Sequence, residues 1–211
     1  MIAIIDYGVG NLFSLQSSFK YIGEEVEVTS DPEKIRKADR IILPGVGAYE
    51  DAAAKLRDSG MAEIVMEQAK AGKPLMGICL GMQLLLEKSY EYGEHEGLGL
   101  IKGSVVPIAD VAPKGYKIPH IGWNALSFTK DEAGQQDKLF KYINEGDYVY
   151  FVHSFYATDC EEATIATTEY GATLTAAVAN GNVYGCQFHP EKSGDVGMRI
   201  LKALCEMEVE R

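Results

Sequence analysis

Cysteine is scarce in this chain: four in 211 residues, with no Cys-x-x-Cys pair and no zinc-ligand spacing. That excludes a disulfide scaffold and a structural zinc module. Cys160, Cys186 and Cys205 read as small buried apolar residues, whereas Cys79 stands in a different setting. Long apolar runs are missing as well. None approaches the roughly 18 residues of a membrane-spanning helix. The opening Met1-Ile-Ala-Ile-Ile-Asp6 has neither the basic start nor the cleavage site of a signal peptide, so the reducing cytoplasm is the expected compartment. Basic residues are too few to balance the acidic ones: 20 against 31, a net charge of −11. A field of that sign disfavours both nucleic acid and anionic membranes as partners. Internal repeats, low-complexity tracts and linkers are also lacking, which points to a single domain over 1–211.

What is present is ordinary globular material, 46% hydrophobic and 24% charged, which excludes wholesale disorder. A chain of this length buries roughly 70% of its unfolded surface, enough for a core without staples. Ile2–Asp6 is a short continuous apolar run, the mark of a buried parallel strand. Gly8 and Gly10 break it, and Asn11 is placed to cap a helix with Leu12, Leu15, Phe19 and Ile22 at helical spacing, stopped by Gly23. A strand over Val26–Thr29, a helix over Pro32–Asp39 and a strand over Ile41–Leu43 follow. Helical patterns at 49–58 and 62–71 lead to a fourth strand, Leu75–Ile78. Strands and helices alternating at this spacing predict an α/β fold with an open, mostly parallel sheet flanked by helices. The second half reads instead as short strands near 101–107, 117–127, 148–153, 162–169, 173–179 and 183–188, extending the sheet in mixed or antiparallel fashion. A final amphipathic helix covers about 194–207, with Val196, Ile200, Leu201, Leu204 and Cys205 on its buried stripe.

Gly77-Ile-Cys79-Leu-Gly81 joins the fourth strand to a helical run, the layout of a nucleophile elbow with Cys in place of Ser. Glycines on either side permit a tight turn, and backbone N–H groups at a helix start favour a thiolate and a developing oxyanion. A thiolate wants a base. His189 lies in Phe188-His-Pro-Glu191 at the end of another apolar strand, where Pro190 keeps it out of the helical region and Glu191 can orient the imidazole. In an open parallel sheet such strand ends gather in one crevice. The loop Pro44-Gly-Val-Gly-Ala48 also leaves a strand end; no Gly-Lys-Ser/Thr follows, so a second oxyanion donor or substrate wall fits better than a phosphate cradle.

Together these segments resemble the class I, triad-type glutamine amidotransferases, which carry the elbow, a late His-Pro-Glu and an early Pro-Gly-x-Gly loop. Gly8-Val-Gly-Asn11, Leu43-Pro-Gly-Val-Gly47, Gly77-Ile-Cys-Leu-Gly-Met-Gln83, Pro119-His-Ile-Gly-Trp-Asn124, Tyr150-Phe-Val-His-Ser-Phe155, Thr167-Thr-Glu-Tyr170 and Gln187-Phe-His-Pro-Glu-Lys-Ser193 are similar to the branch that serves imidazole glycerol phosphate synthases. The resemblance covers 1 to about 200. It implies a flavodoxin-like sheet and a glutaminase with no cofactor and no metal. It implies Cys79 as nucleophile, His189 as base and acid, and Glu191 as orienter. The oxyanion donors would be the Leu80 N–H and an N–H from the loop holding Val46 and Gly47. Glutamine would be met by Gly47, Gln83, Glu91, Ser154 and Phe155. The partner would be a (βα)₈-barrel cyclase subunit, taking ammonia through an interface that includes Asn11, Trp123, Asn124 and Lys192. Another synthase of the same superfamily, or a stand-alone γ-glutamyl hydrolase, is the alternative reading. His120 and His153 read as structural or supporting, and His95 as a solvated loop residue.

Overall fold

A computed structural model describes residues 1–208 of the protein. Its first half alternates strand and helix: β1 Ile2–Ile5, α1 Leu12–Tyr21, β2 Val26–Thr29, α2 Pro32–Lys37, β3 Arg40–Leu43, α3 Tyr49–Asp58, α4 Met61–Lys70, β4 Leu75–Ile78 and α5 Leu80–Leu85. The second half is strand-rich: β5 Lys88–Ser89, β6 His95–Glu96, β7 Ser104–Pro107, β8 His120–Ala125, β9 Ser127–Phe128, β10 Tyr148–His153, β11 Phe155–Thr158, β12 Thr164–Glu169, β13 Thr173–Asn180 and β14 Val183–Cys186. Helix α6, Gly194–Cys205, closes it.

Local chemistry explains the element ends. Helix α1 stops in a Schellman arrangement: Gly23, at φ 88°, donates its N–H to Lys20 O at 3.1 Å, and Glu24 N–H reaches Phe19 O at 3.0 Å. Helix α2 starts with Pro32 at its first position and with the Asp31 carboxylate accepting the Glu33 N–H at 2.9 Å. Asn11 does precede α1 as expected, but among the described residues its side chain makes no capping bond.

Eight strands among the described residues form the main sheet, in the order β2-β1-β3-β4-β14-β13-β12-β9. The first five run parallel, and β13, β12 and β9 add to them antiparallel. The expected extension of the sheet therefore consists of the last strands of the chain and β9. The segments around 104–107, 120–125 and 148–153 build two smaller sheets instead, β11-β7-β5-β6 and β10-β8. Strand pairs as short as β5 and β6 carry too little alternation to be read from sequence.

Period-two alternation sends the two faces of β1 into two cores. Ala3 and Ile5 pack with Ile35 of α2 and with the buried faces of α3 and α4. Ile2 and Ile4 pack with Leu15 and Phe19 of α1 and with Ile200, Leu201 and Leu204 of α6. Helices on both faces leave the carboxyl ends of β1, β3, β4 and β14, four neighbours, free to carry loops at one edge.

Candidate active site

Four loops leave that edge, and Cys79 stands at the centre of them. It joins β4 to α5 with φ 55° and ψ −112°, a left-handed conformation that a side chain rarely adopts. Sequence reasoning assigned the tightness of this turn to Gly77 and Gly81; the structure gives them another task. Neither has a positive φ. A Cβ on Gly77 would lie 2.6 Å from Gly81 O, one on Gly81 1.9 Å from Leu43 O, and one on Gly45 2.6 Å from Gly81 N. These glycines let the ends of β3 and β4 and the first turn of α5 touch backbone to backbone. That contact brings the Pro44–Gly47 loop beside Leu80. The Tyr7 hydroxyl, at the end of β1, donates to Pro44 O at 2.7 Å and holds the same loop from behind. Burial, and then the neighbouring Cys79, push the Tyr7 hydroxyl well above its ordinary value, so it stays a donor.

His189 follows β14, and its N–H donates to Tyr150 O at 2.9 Å. Its Nδ1 meets Glu191 Oε1 at 2.8 Å, with both side chains almost wholly buried. That leaves Nε2 for Cys79, to which His189 is also hydrogen-bonded. Burial opposes charge on the imidazole, but the hydrogen bonds to Cys79 and Glu191 and their negative charges outweigh it and carry the pKa up to about 9. Glu191 sits in a 3₁₀ turn, Pro190–Lys192. Ser193 pins that turn by donating from Oγ to His189 O at 2.6 Å and accepting the Tyr150 N–H at 3.0 Å. A Cβ on Gly197 would fall 1.8 Å from Pro190 O, so α6 packs directly on the turn.

Cys79 and His189 open into a cavity of about 340 Å³. Val46, Gly47, Leu80, Gln83, Glu91, Ser154, Phe155 and Lys192 all line it, so the residues expected to polarise and hold a substrate do converge. Glu91 accepts the Tyr49 N–H at 3.2 Å, which aims it from the start of α3. Burial raises its pKa, against the Tyr49 N–H and the charge of His95. His95 departs from expectation here. Its Nε2 is buried, its ring centroid is 6.3 Å from that of Tyr49, and it acts on Glu91 instead of facing open solvent. Tyr92 and Pro119 also line the cavity and were not foreseen. Tyr92 is 90% exposed, has φ 54° and meets the Phe155 ring edge-on at 5.9 Å.

A further residue missed by sequence reasoning is Gln187, wholly buried, with Nε2 3.7 Å from Cys79 Sγ. Its signal was its place two residues before His189 on an extended run, where alternation favours a shared face. His120 and His153 support the site: they meet at 2.9 Å, and His153 Nδ1 donates to Phe155 O at 2.9 Å. Burial pulls His153 down to about 3. The remaining cysteines are buried free thiols. Among the described residues no group of His, Cys, Asp and Glu gathers to hold a metal ion, and no helix is long and apolar enough to cross a membrane.

The residues expected at a partner interface lie outside the cavity, Lys192 excepted. Trp123 is 51% exposed on β8, beside the exposed Ile121, and stands edge-on to Tyr150 at 6.1 Å. Lys192 Nζ is 5.9 Å from the same ring. Asn11 is half-buried before α1. Asn124 turns inward, its amide donating to Glu169 O at 2.8 Å and its oxygen meeting His120 Nε2 at 2.9 Å.

The model of the family "Glutamine amidotransferase class-I" matches residues 3–205. The chain is 50% identical over 208 residues to "Imidazole glycerol phosphate synthase subunit HisH" of Caldanaerobacter subterraneus subsp. tengcongensis, covering 98% of each. It is 47% identical to the protein of that name from Wolinella succinogenes, covering 98% of this chain and 100% of the relative. Among solved structures it resembles "Structure of PurLQS from Thermotoga maritima", with a TM-score of 0.74 at 21% identity over 97% of this chain and 96% of the other. That likeness bears on the fold. The elbow, the late His-Pro-Glu, the fold and the full-length identity agree, and the chain belongs to the class I glutamine amidotransferase family, among the HisH subunits.

Proposed function

We propose that this chain is the glutaminase subunit of an imidazole glycerol phosphate synthase. It hydrolyses glutamine to glutamate and ammonia. The ammonia passes to a (βα)₈-barrel cyclase subunit that makes imidazole glycerol phosphate and aminoimidazole carboxamide ribotide in histidine biosynthesis. The observation that carries the reading is Cys79 on a strained strand-to-helix turn, hydrogen-bonded to an imidazole that Glu191 orients at 2.8 Å.

The raised pKa of His189 keeps its imidazole protonated at neutral pH, a positive charge set beside Cys79. The Cys79 thiolate attacks the side-chain carbonyl carbon of glutamine, forming the C–S bond. The oxyanion is met by the Leu80 N–H and an N–H of the Val46–Gly47 segment, each such donor supplying roughly 2.7–4 kcal/mol. His189 gives its Nε2 proton to the amide nitrogen, the C–N bond breaks and ammonia leaves. Water, losing a proton to His189, attacks the thioester; the C–S bond breaks and glutamate departs. Glu91 suits the α-ammonium of the substrate, and the Ser154–Phe155 backbone its α-carboxylate. Gln83 keeps its oxygen for the substrate, since its two N–H bonds go to Phe155 O and Gln187. Exposed Trp123 and Ile121, with Lys192 and Asn11, form the face offered to the barrel, which keeps ammonia from bulk water. Asn124 serves that face by bracing β8, its oxygen on His120 Nε2 of the same strand and its amide donating to Glu169 O at the end of β12. The chain acts as one domain, a reading supported by the family match over 3–205. Its buried free thiols suit the cytoplasm.

The test is glutamate release from glutamine with and without the liganded barrel subunit. Cys79→Ala is expected to abolish it while the complex still turns over with added ammonia. Appreciable glutaminase in that variant overturns the assignment of the nucleophile.

A further inference from the structure

The acyl-transfer steps leave Gln187 unused, although it is wholly buried between Gln83 and Cys79. A carboxamide has a donor end and an acceptor end, so in a chain of such groups the direction is set by a partner that can play only one part. That partner is the backbone carbonyl of Phe155, which only accepts. Gln83 Nε2 donates to it at 3.1 Å and, with its second hydrogen, to Gln187 Oε1 at 2.9 Å. His153 Nδ1 donates to the same carbonyl at 2.9 Å and helps hold it. Gln187 must then present its NH₂ to the far side, where Cys79 Sγ lies 3.7 Å away. Reversing Gln187 would set nitrogen against nitrogen at Gln83; reversing Gln83 would set oxygen against the Phe155 carbonyl. The polarity of the whole chain is therefore fixed by main-chain chemistry, and it delivers a donor to the sulfur.

We propose that Gln187 is a positioning residue whose carboxamide donates to Cys79 Sγ, fixing the sulfur and favouring thiolate over thiol. This rests on the reading of Cys79 as nucleophile. A thiolate is the better acceptor, and a donor fixed on the charged form stabilises that form. His189 supplies a counter-charge that comes and goes with its proton; Gln187 supplies a neutral donor that stays through the cycle. During breakdown of the thioester the same N–H meets the sulfur as it regains negative charge.

The experiment is the pH dependence of Cys79 alkylation by iodoacetamide on the full chain, read on the Cys79 peptide by mass spectrometry because three other cysteines are present. Gln187→Met keeps the side-chain length and removes the donor. Its alkylation midpoint is expected to rise by about one pH unit, slowing alkylation about tenfold at a pH below both midpoints. The kcat for glutamine falls with it while KM moves little. A folded Gln187→Met with the wild-type midpoint overturns the inference. If that variant fails to fold, Gln83→Met frees Gln187 from its anchor and is expected to raise the midpoint by a smaller amount; no rise there overturns it equally. Failure of the parent reading looks different: Cys79→Ala then keeps its glutaminase, whatever the Gln187→Met profile does.

Discussion

Cys79 holds a left-handed backbone conformation without being glycine, a geometry that costs of order 1–3 kcal/mol and persists only where its surroundings impose it. The imposing groups are the glycine contacts with Leu43 and Gly81 and the Cys79 N–H donated to Cys186 O at 2.8 Å. The residue beside it sets the pH response. His189, held near 9, must carry a proton to expel ammonia, so kcat/KM is expected to fall as pH rises through about 9. Glu191→Gln removes one of the groups that raises it, and the alkaline limb of the pH–rate profile should then move to lower pH. An unmoved limb would assign that ionisation to another group. The stability sign runs the same way. A histidine whose folded value lies above its ordinary 6.5 contributes fully below 6.5, and the contribution is lost as pH climbs through about 9.

The elbow and the Pro44–Gly47 loop behave as one element because their glycines are in contact. Gly81→Ala would drive a methyl group to 1.9 Å from Leu43 O, in backbone that cannot rotate away. We expect a loss of stability at or above about 3 kcal/mol, measurable by denaturant unfolding. Gly47 is the contrasting case. It has φ 92° and open space around its Cα, so Gly47→Ala meets strain of roughly 1–2 kcal/mol and no clash. We predict that the Val46–Gly47 peptide reorients to offer or withdraw an oxyanion donor, with Gly47 in open space supplying the freedom. Gly47→Ala is therefore expected to weaken stimulation of the glutaminase by the barrel subunit, by up to the 10²–10³ in rate that one donor supplies. Undiminished stimulation would remove the loop from control. Gly45→Ala cannot make this test, since its methyl would strike Gly81 N at 2.6 Å.

At the scale of the molecule, Trp123, Tyr150 and Lys192 link the exposed β8–β10 pair to the turn that carries His189. Trp123→Ala should weaken binding of the barrel subunit by about 2 kcal/mol or more, roughly thirtyfold in Kd, as aromatic anchors do. Calorimetric titration reads this, and an unchanged Kd would move the interface elsewhere. The buried histidines govern the acid side. Burial lowers His153 to about 3, against a hydrogen bond to Phe155 O and with the charges of His120 and His189 adding to the drop. A depressed value means that stability is intact above 6.5 and is lost as pH falls toward 3. His153→Gln should flatten the decline of unfolding free energy between pH 6.5 and 3; an identical slope would place that proton uptake on other groups.

The strand–helix alternation of the first half, the elbow around Cys79, the His-Pro-Glu turn and the final helix were all legible in the sequence, because each rests on local signals: continuous apolar runs, helical spacing, Gly and Pro punctuation. The exposure of Trp123 was expected only through the family resemblance of Pro119-His-Ile-Gly-Trp-Asn124, since a lone Trp is otherwise more often core than interface. Tertiary structure decided the rest. The short pair β5–β6 and the six-residue pair β8–β10 leave the main sheet because partner choice depends on long-range packing, which no window of sequence contains. Gly45, Gly77 and Gly81 proved to be contact points and not hinges, since only the folded backbone shows what a Cβ would strike. The place of Gln187 beside Cys79 likewise appears only when β14 pairs with β4 and Gln83, tied to Phe155 O, meets the Gln187 carboxamide. The sequence carried the reacting groups; the fold set their distances and the direction of every hydrogen bond between them, because those are properties of the packed backbone and not of any local run of residues.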